Sequence, residues 1–168
     1  MKEIVVAIAD CRISNNPDTV LVTHALGSCI AVAVYDPEAR VAGLLHFMLP
    51  ESAIDPTKAN GRPYLFADTG IPLLFHAAYA LGAEKKRIGV HLVGGAQVMD
   101  PEGVFNVGKR NYLASRKVLW AAGVMVRGEA VGGNVSRTVR LEVAGGRLWW
   151  NTGGGPPREL AAGKGVKI

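Results

Sequence analysis

Two side chains could supply a thiol nucleophile and its proton carrier. Cys29 follows Gly27-Ser28 at the head of an apolar run, and His46 lies inside the next apolar run. A thiol attacks a carbonyl carbon once a neighbouring base has taken its proton, and an imidazole within reach is such a base. Glycine just before the cysteine lets the main chain approach closely and take unusual dihedrals. N–H groups beside the sulfur can then converge on one point, as a tetrahedral oxyanion requires. Thr23 is the third polar residue around this segment; taken alone it is an ordinary strand residue.

Bland readings compete with this chemistry. A cysteine in a strand commonly behaves as a small buried hydrophobe, and a histidine on an apolar strand as a hydrogen-bonded core residue. His24, His76 and His91 are rival bases, but no spacing ties His24 or His76 to the thiol. Cys11 follows Ala9-Asp10 without a glycine turn and reads as structural. Paired-ligand spacings of a zinc site are missing, Gly94-Gly95-Ala96 lacks the lysine of a phosphate loop, and Asp10 and Asp36 are isolated acids. Neither a metal nor a cofactor is expected.

The elements that must position the pair are two strands, 29–35 and 41–48, joined by Asp36-Pro37-Glu38-Ala39-Arg40. Side chains alternate faces along a strand, so register decides the chemistry. If Tyr35 pairs with Arg40, Cys29 stands directly opposite His46. If Asp36 pairs with Val41, the two are diagonal neighbours on one face. The Cβ spacings are then about 5 and about 7 Å respectively. A connection of odd length would place them on opposite faces.

Further strands are expected at 3–8, 20–23, 87–93, 124–131, 138–143 and 147–151, with Ser14-Asn15-Asn16-Pro17-Asp18, Gly132-Gly133-Asn134 and Ala144-Gly145-Gly146 as turns. Leu65, Leu73, Leu74, Ala77, Ala78 and Leu81 share one face of a helix over 65–82, which Pro72 either kinks or forces to start later. A second helix fits 109–122, and 51–63 reads as a loop. Strands dominate and helices interrupt them without strict alternation. That predicts an α+β layered sandwich with mixed or antiparallel sheets and two main helices. One domain over 1–151 is expected, followed by a Gly/Pro-rich, flexible tail over 152–168.

Composition narrows the class. Of 168 residues, 49% are hydrophobic and 20% charged, and mean hydropathy is +0.18, which excludes a disordered chain and implies a sizeable core. No uncharged apolar run is long enough to span a membrane, and the acidic start Met1-Lys2-Glu3 is unlike a signal peptide, so the cytoplasm is the expected compartment. Two cysteines there should be free thiols. The formal charge of +5 suits an acidic protein surface, but the basic residues are scattered. Aromatic residues make up only 7% and do not interleave with the basic ones, so a nucleic-acid binder is the least favoured class.

The motifs together resemble the CheD family of chemoreceptor glutamine deamidases. They are Val22-Thr23-His24-Ala25-Leu26-Gly27-Ser28-Cys29-Ile30, then Gly43-Leu44-Leu45-His46-Phe47-Met48-Leu49-Pro50, then Gly94-Gly95-Ala96-Gln97-Val98-Met99. After these come Val107-Gly108-Lys109-Arg110-Asn111 and Gly132-Gly133-Asn134 with Arg137. The resemblance runs from about residue 3 to 150; His24, Ala25, His91 and Ser136 depart from the usual pattern. It implies a Cys29-His46-Thr23 triad in a protein-glutamine glutaminase. It also implies a fold similar to the catalytic domain of cytotoxic necrotizing factor toxins. The expected partners are the cytoplasmic helices of methyl-accepting chemotaxis receptors and, as family members can bind it, the phosphatase CheC. No nucleic acid and no membrane insertion are expected. In this picture an imidazolium on His46 holds Cys29 as a thiolate, the Gly27-Ser28 turn cradles the oxyanion, and Thr23 orients the imidazole. Two other readings remain: a regulatory module with an idle thiol, and a cysteine hydrolase of another amide or ester.

Overall fold

The computed structural model describes residues 1–98, 100 and 102–161. Ten strands form two five-stranded sheets. The first has the order β1 (Lys2–Val5), β3 (Thr19–Leu26), β8 (Arg137–Glu142), β9 (Leu148–Thr152) and β10 (Arg158–Glu159). The second has the order β2 (Asp10–Ser14), β5 (Val41–Phe47), β4 (Ile30–Asp36), β6 (Gly89–Gly94) and β7 (Val126–Val131). The pairs β1–β3 and β6–β7 are parallel, whereas the others are antiparallel. The α+β class expected from the sequence is the class the chain adopts.

Three layers result. Strand β4 is buried on both faces, which is why its sequence is a continuous apolar run and not an alternating one. Its large residues Ile30, Val32 and Val34 pack toward helices α2 (Ala67–Ala80) and α3 (Val107–Ala121). Its small residues Ala31 and Ala33 face Leu21, Val139 and Leu141 of the first sheet. Small side chains there let the two sheets close on each other. On β5, Leu45 and Phe47 join the helix-facing core and Ala42 and Leu44 the intersheet core. Gly43 is closely covered: a Cβ there would lie 2.6 Å from Ile13 and 2.9 Å from Leu74 and from Val34.

Several expectations change. Strand β2 was not anticipated; it pairs antiparallel with β5 ahead of the 14–18 turn. The stretch read as a loop contains a short helix, α1 (Pro56–Gly61), whose N-terminus is capped by Asp55 accepting from the Lys58 N–H at 3.1 Å. Helix α2 begins before Pro72 and runs through it. Its buried face is Ala67, Gly70, Ile71, Leu74, Phe75 and Ala78, while Leu73 and Leu81, expected on one face with Leu74 and Ala78, are exposed. Within the stretch expected as a flexible tail, the described residues include β10, an edge strand pairing Arg158 with Trp150, and a buried Leu160. Residues 162–168 of it lie outside those described.

Candidate active site

The β4–β5 hairpin takes the second of the two even registers: Asp36 pairs with Val41 and Ala31 with His46. Cys29, one residue before β4, therefore lies diagonal to His46 on the face turned toward the first sheet. Both are buried, at 8% and 1% exposure.

Thr23 reaches them from the other layer. Near the end of β3 the register against β8 shifts between Thr23 and Leu26, and Ala25 takes a left-handed φ of 56°. Beyond this bulge Leu26 still pairs with Arg137, and the chain then turns through Gly27-Ser28-Cys29 into the second sheet. Thr23 itself is fully buried, with Oγ1 2.6 Å from the Val6 carbonyl oxygen and 2.7 Å from His46 Nδ1. A hydroxyl has one proton. Given to Val6, it leaves Oγ1 to accept at the second contact, so Nδ1 must carry the imidazole proton. His46 Nε2 is then the lone-pair nitrogen, and it is buried without a hydrogen bond.

Burial works against the charged forms of both groups. Burial pushes the Cys29 thiol up to about 11, opposed by its own backbone N–H, and pushes the His46 imidazole down to about 4. Desolvation penalises whichever form is charged, so both groups rest neutral at pH 7. No hydrogen bond joins the Cys29 thiol to His46 Nε2 in the free chain.

The turn around the thiol is held by its acceptors. The Gly27 carbonyl takes the Ala96 N–H at 2.8 Å, the Cys29 carbonyl takes the Gly95 N–H at 2.8 Å, and the Ser28 carbonyl takes Asn111 Nδ2 at 2.9 Å. Among the described residues the N–H groups of Ser28 and Cys29 donate to no carbonyl. Gly94, with a φ of 117°, makes this approach possible: a Cβ there would lie 2.2 Å from the Cys29 carbonyl oxygen. A cleft of about 370 Å³ opens beside the turn, lined by Gly27, Ser28, Gln97, Val98, Phe105 and Ser136 among others. A larger cavity of about 480 Å³ at the far end of the sandwich, lined by Tyr35, His91 and Arg127, is remote from the thiol.

The structure thus brings together Thr23, Cys29, His46, Gly27 and Ser28. It leaves the rivals apart: His24 and His76 are exposed, and His91 pairs with Ala33, further along β4. Cys11 pairs with Leu45 on β5, and burial pushes its thiol up to about 12. Among the described residues no three His, Cys, Asp or Glu side chains cluster as a metal site. Two residues escaped assignment from sequence. Asn111 is fully buried on α3, and its signal was a carboxamide on the same helix face as Gly108, Ala114, Ser115 and Leu119. Arg137, 7% exposed, donates to the Gly94 carbonyl at 3.3 Å with its guanidinium 5.4 Å from the Trp150 ring centre; the motif after Gly132-Gly133-Asn134 marked it without giving it a role.

Comparison with known proteins gives the family. A family profile described as "CheD chemotactic sensory transduction" matches residues 48–152. The chain is 54% identical over 154 residues to "Probable chemoreceptor glutamine deamidase CheD" of Solibacter usitatus, covering 92% of this chain and 91% of that protein. It is 51% identical over 160 residues to "Probable chemoreceptor glutamine deamidase CheD 1" of Syntrophus aciditrophicus, covering 95% and 100%. It is 47% identical over 153 residues to "Probable chemoreceptor glutamine deamidase CheD 2" of Anaeromyxobacter dehalogenans, covering 91% and 96%. With a profile match over more than half its length and relatives this similar end to end, the chain belongs to the CheD family.

Proposed function

We propose that this protein hydrolyses the side-chain carboxamide of receptor glutamines to glutamate, with Cys29 as nucleophile, His46 as proton carrier and Thr23 as the group that orients the imidazole. One observation carries the reading. His46 Nε2 is an unprotonated, unpartnered nitrogen on the face it shares with Cys29, and Thr23 fixes its tautomer from the opposite sheet. The substrate class comes from the relatives, which are named as chemoreceptor glutamine deamidases.

The thiol proton passes to Nε2 as sulfur bonds to the carboxamide carbon, and the carbonyl electrons move to oxygen. The Ser28 and Cys29 N–H groups, engaged by no carbonyl, are the donors available to that oxyanion. Nε2–H then protonates the amide nitrogen, the C–N bond breaks, and ammonia leaves a thioester. Water attacks the thioester as Nε2 takes its proton; collapse expels sulfur, which recovers that proton. The balance is carboxamide plus water to carboxylic acid plus ammonia, with no oxidant or metal required. A neutral resting pair suits this scheme, because the thiol proton need only pass to Nε2 as sulfur attacks.

The partner surface is then the helical cytoplasmic rod of a chemoreceptor, and CheC is a second candidate partner. No helix among the described residues is long and apolar enough to cross a membrane. The deciding experiment incubates purified receptor fragment with the protein and follows mass and released ammonia. The amide-to-acid mass change should occur with the unaltered chain and vanish with Cys29→Ala. Conversion surviving in Cys29→Ala would overturn the assignment. No conversion with either would favour an idle-thiol regulatory module or a hydrolase of a different amide or ester.

A further inference from the structure

The Asn111 carboxamide bridges the two strands that carry the chemistry. Its Nδ2 donates to the Ser28 carbonyl at 2.9 Å and to the Met48 carbonyl at 2.8 Å. Both acceptors are oxygens, so the amide has one orientation; turned over, it would set its own oxygen against them. Ser28 precedes the nucleophile, and Met48 lies two residues beyond His46. One side chain on α3, fully buried, therefore links the cysteine turn to the histidine strand.

The bond to Ser28 does more than hold the turn. The Ser28 carbonyl and the Cys29 N–H belong to a single planar trans peptide unit, in which C=O and N–H point in opposite directions. Drawing the carbonyl toward α3 sends the Cys29 N–H away from the helix. It lies against the Cys29 sulfur, whose ionisation it eases. The preceding unit is fixed in the same way, through the Ala96 N–H bound to the Gly27 carbonyl. Of the three carbonyls in the turn, only that of Ser28 is held by a side chain, so it is the one a substitution can release.

We propose that Asn111 is a positioning residue that aims the Cys29 N–H at the oxyanion and sets the spacing of Cys29 from His46. This rests on the deamidase reading, and the experiment separates the two.

The full-length chain is prepared as Asn111→Leu, a near-isostere without a donor, and as Asn111→Ala, alongside Cys29→Ala. With receptor fragment as substrate, both Asn111 variants should lose kcat by about 100-fold while KM moves less than about threefold, the loss expected when one oxyanion donor is misdirected. Alkylation of Cys29 by iodoacetamide needs no oxyanion donor; losing the N–H that eases ionisation of the sulfur should slow it by less than about threefold, far less than kcat falls. An unchanged kcat overturns the proposal; so does a kcat that falls only in step with alkylation, the mark of a merely structural role. Conversion persisting in Cys29→Ala removes Cys29 as the nucleophile, and no conversion by the unaltered chain sinks the deamidase reading instead.

If neither variant folds, the unaltered protein decides. A receptor peptide bearing an aldehyde in place of the glutamine carboxamide forms a hemithioacetal with Cys29. The Cys29 amide proton should then shift downfield and resist hydrogen exchange in NMR spectra, and the Asn111 side-chain amide should exchange slowly throughout. A Cys29 amide that does not respond overturns the proposal.

Discussion

Thr23 and His46 come from different sheets and meet at 2.7 Å, and the Val6 carbonyl decides which of them donates. By taking the only hydroxyl proton, Val6 makes Thr23 an acceptor and His46 an Nδ1–H tautomer. A backbone oxygen on the edge of the first sheet thereby sets the basicity of a nitrogen in the second.

Thr23→Val keeps the shape and removes the acceptor, so the imidazole loses its enforced tautomer. Deamidation kcat should fall about 10- to 100-fold, part of what general acid–base catalysis contributes. Thr23→Ser keeps the oxygen and should retain most activity. Steady-state kinetics on receptor fragment test this; a valine variant as fast as the serine variant would remove Thr23 from the mechanism.

The neutral resting pair predicts a particular alkylation profile. With the thiol pushed up to about 11, its anion is scarce at neutral pH. The rate of Cys29 modification by iodoacetamide should climb about tenfold per pH unit between pH 7 and 10, because only the thiolate reacts. A rate already level below pH 8 would instead reveal a preformed thiolate–imidazolium pair.

Acid sensitivity should trace to Asp36, at the end of the sandwich away from the thiol. Burial by itself would raise its carboxyl, but the Arg87 guanidinium and then the Ala39, Glu84 and Glu38 N–H groups donate to it and hold it down at about 2 against an ordinary 3.8. The folded pKa is depressed, so this contribution is complete above about pH 5 and fades as pH falls through 4 toward 2. Asp36→Asn should cost on the order of 2–3 kcal/mol at pH 7, since it leaves a half-buried guanidinium short of its main partner. Denaturant melts at pH 7 and pH 3 check both: the variant's deficit should shrink at the lower pH, and a pH-independent deficit would contradict the account.

The hairpin was legible from spacing alone. Any even connection between residues 29–35 and 41–48 places Cys29 and His46 on one face, because side chains alternate with a period of two. Tertiary structure chose which even register, pairing Asp36 with Val41. The apolar run of β4, the glycine turns and the two helices were local signals and were found. Strand β2 and edge strand β10 were not, because each is short and gains its order only by pairing with a neighbour already in place.

At the site the same division holds. Residue type and spacing marked Cys29, His46 and the Gly27-Ser28 turn, and motif resemblance alone added Thr23 as the third member. Three things depended on the folded chain: the acceptor role of Thr23, the reach of Asn111 across both strands, and the neutral state of thiol and imidazole. Alternation and turn chemistry are properties of a few consecutive residues, so a sequence displays them. Desolvation and the bonds between layers sum over atoms far apart in the chain, and they exist only once the two sheets and the helices have closed on one another.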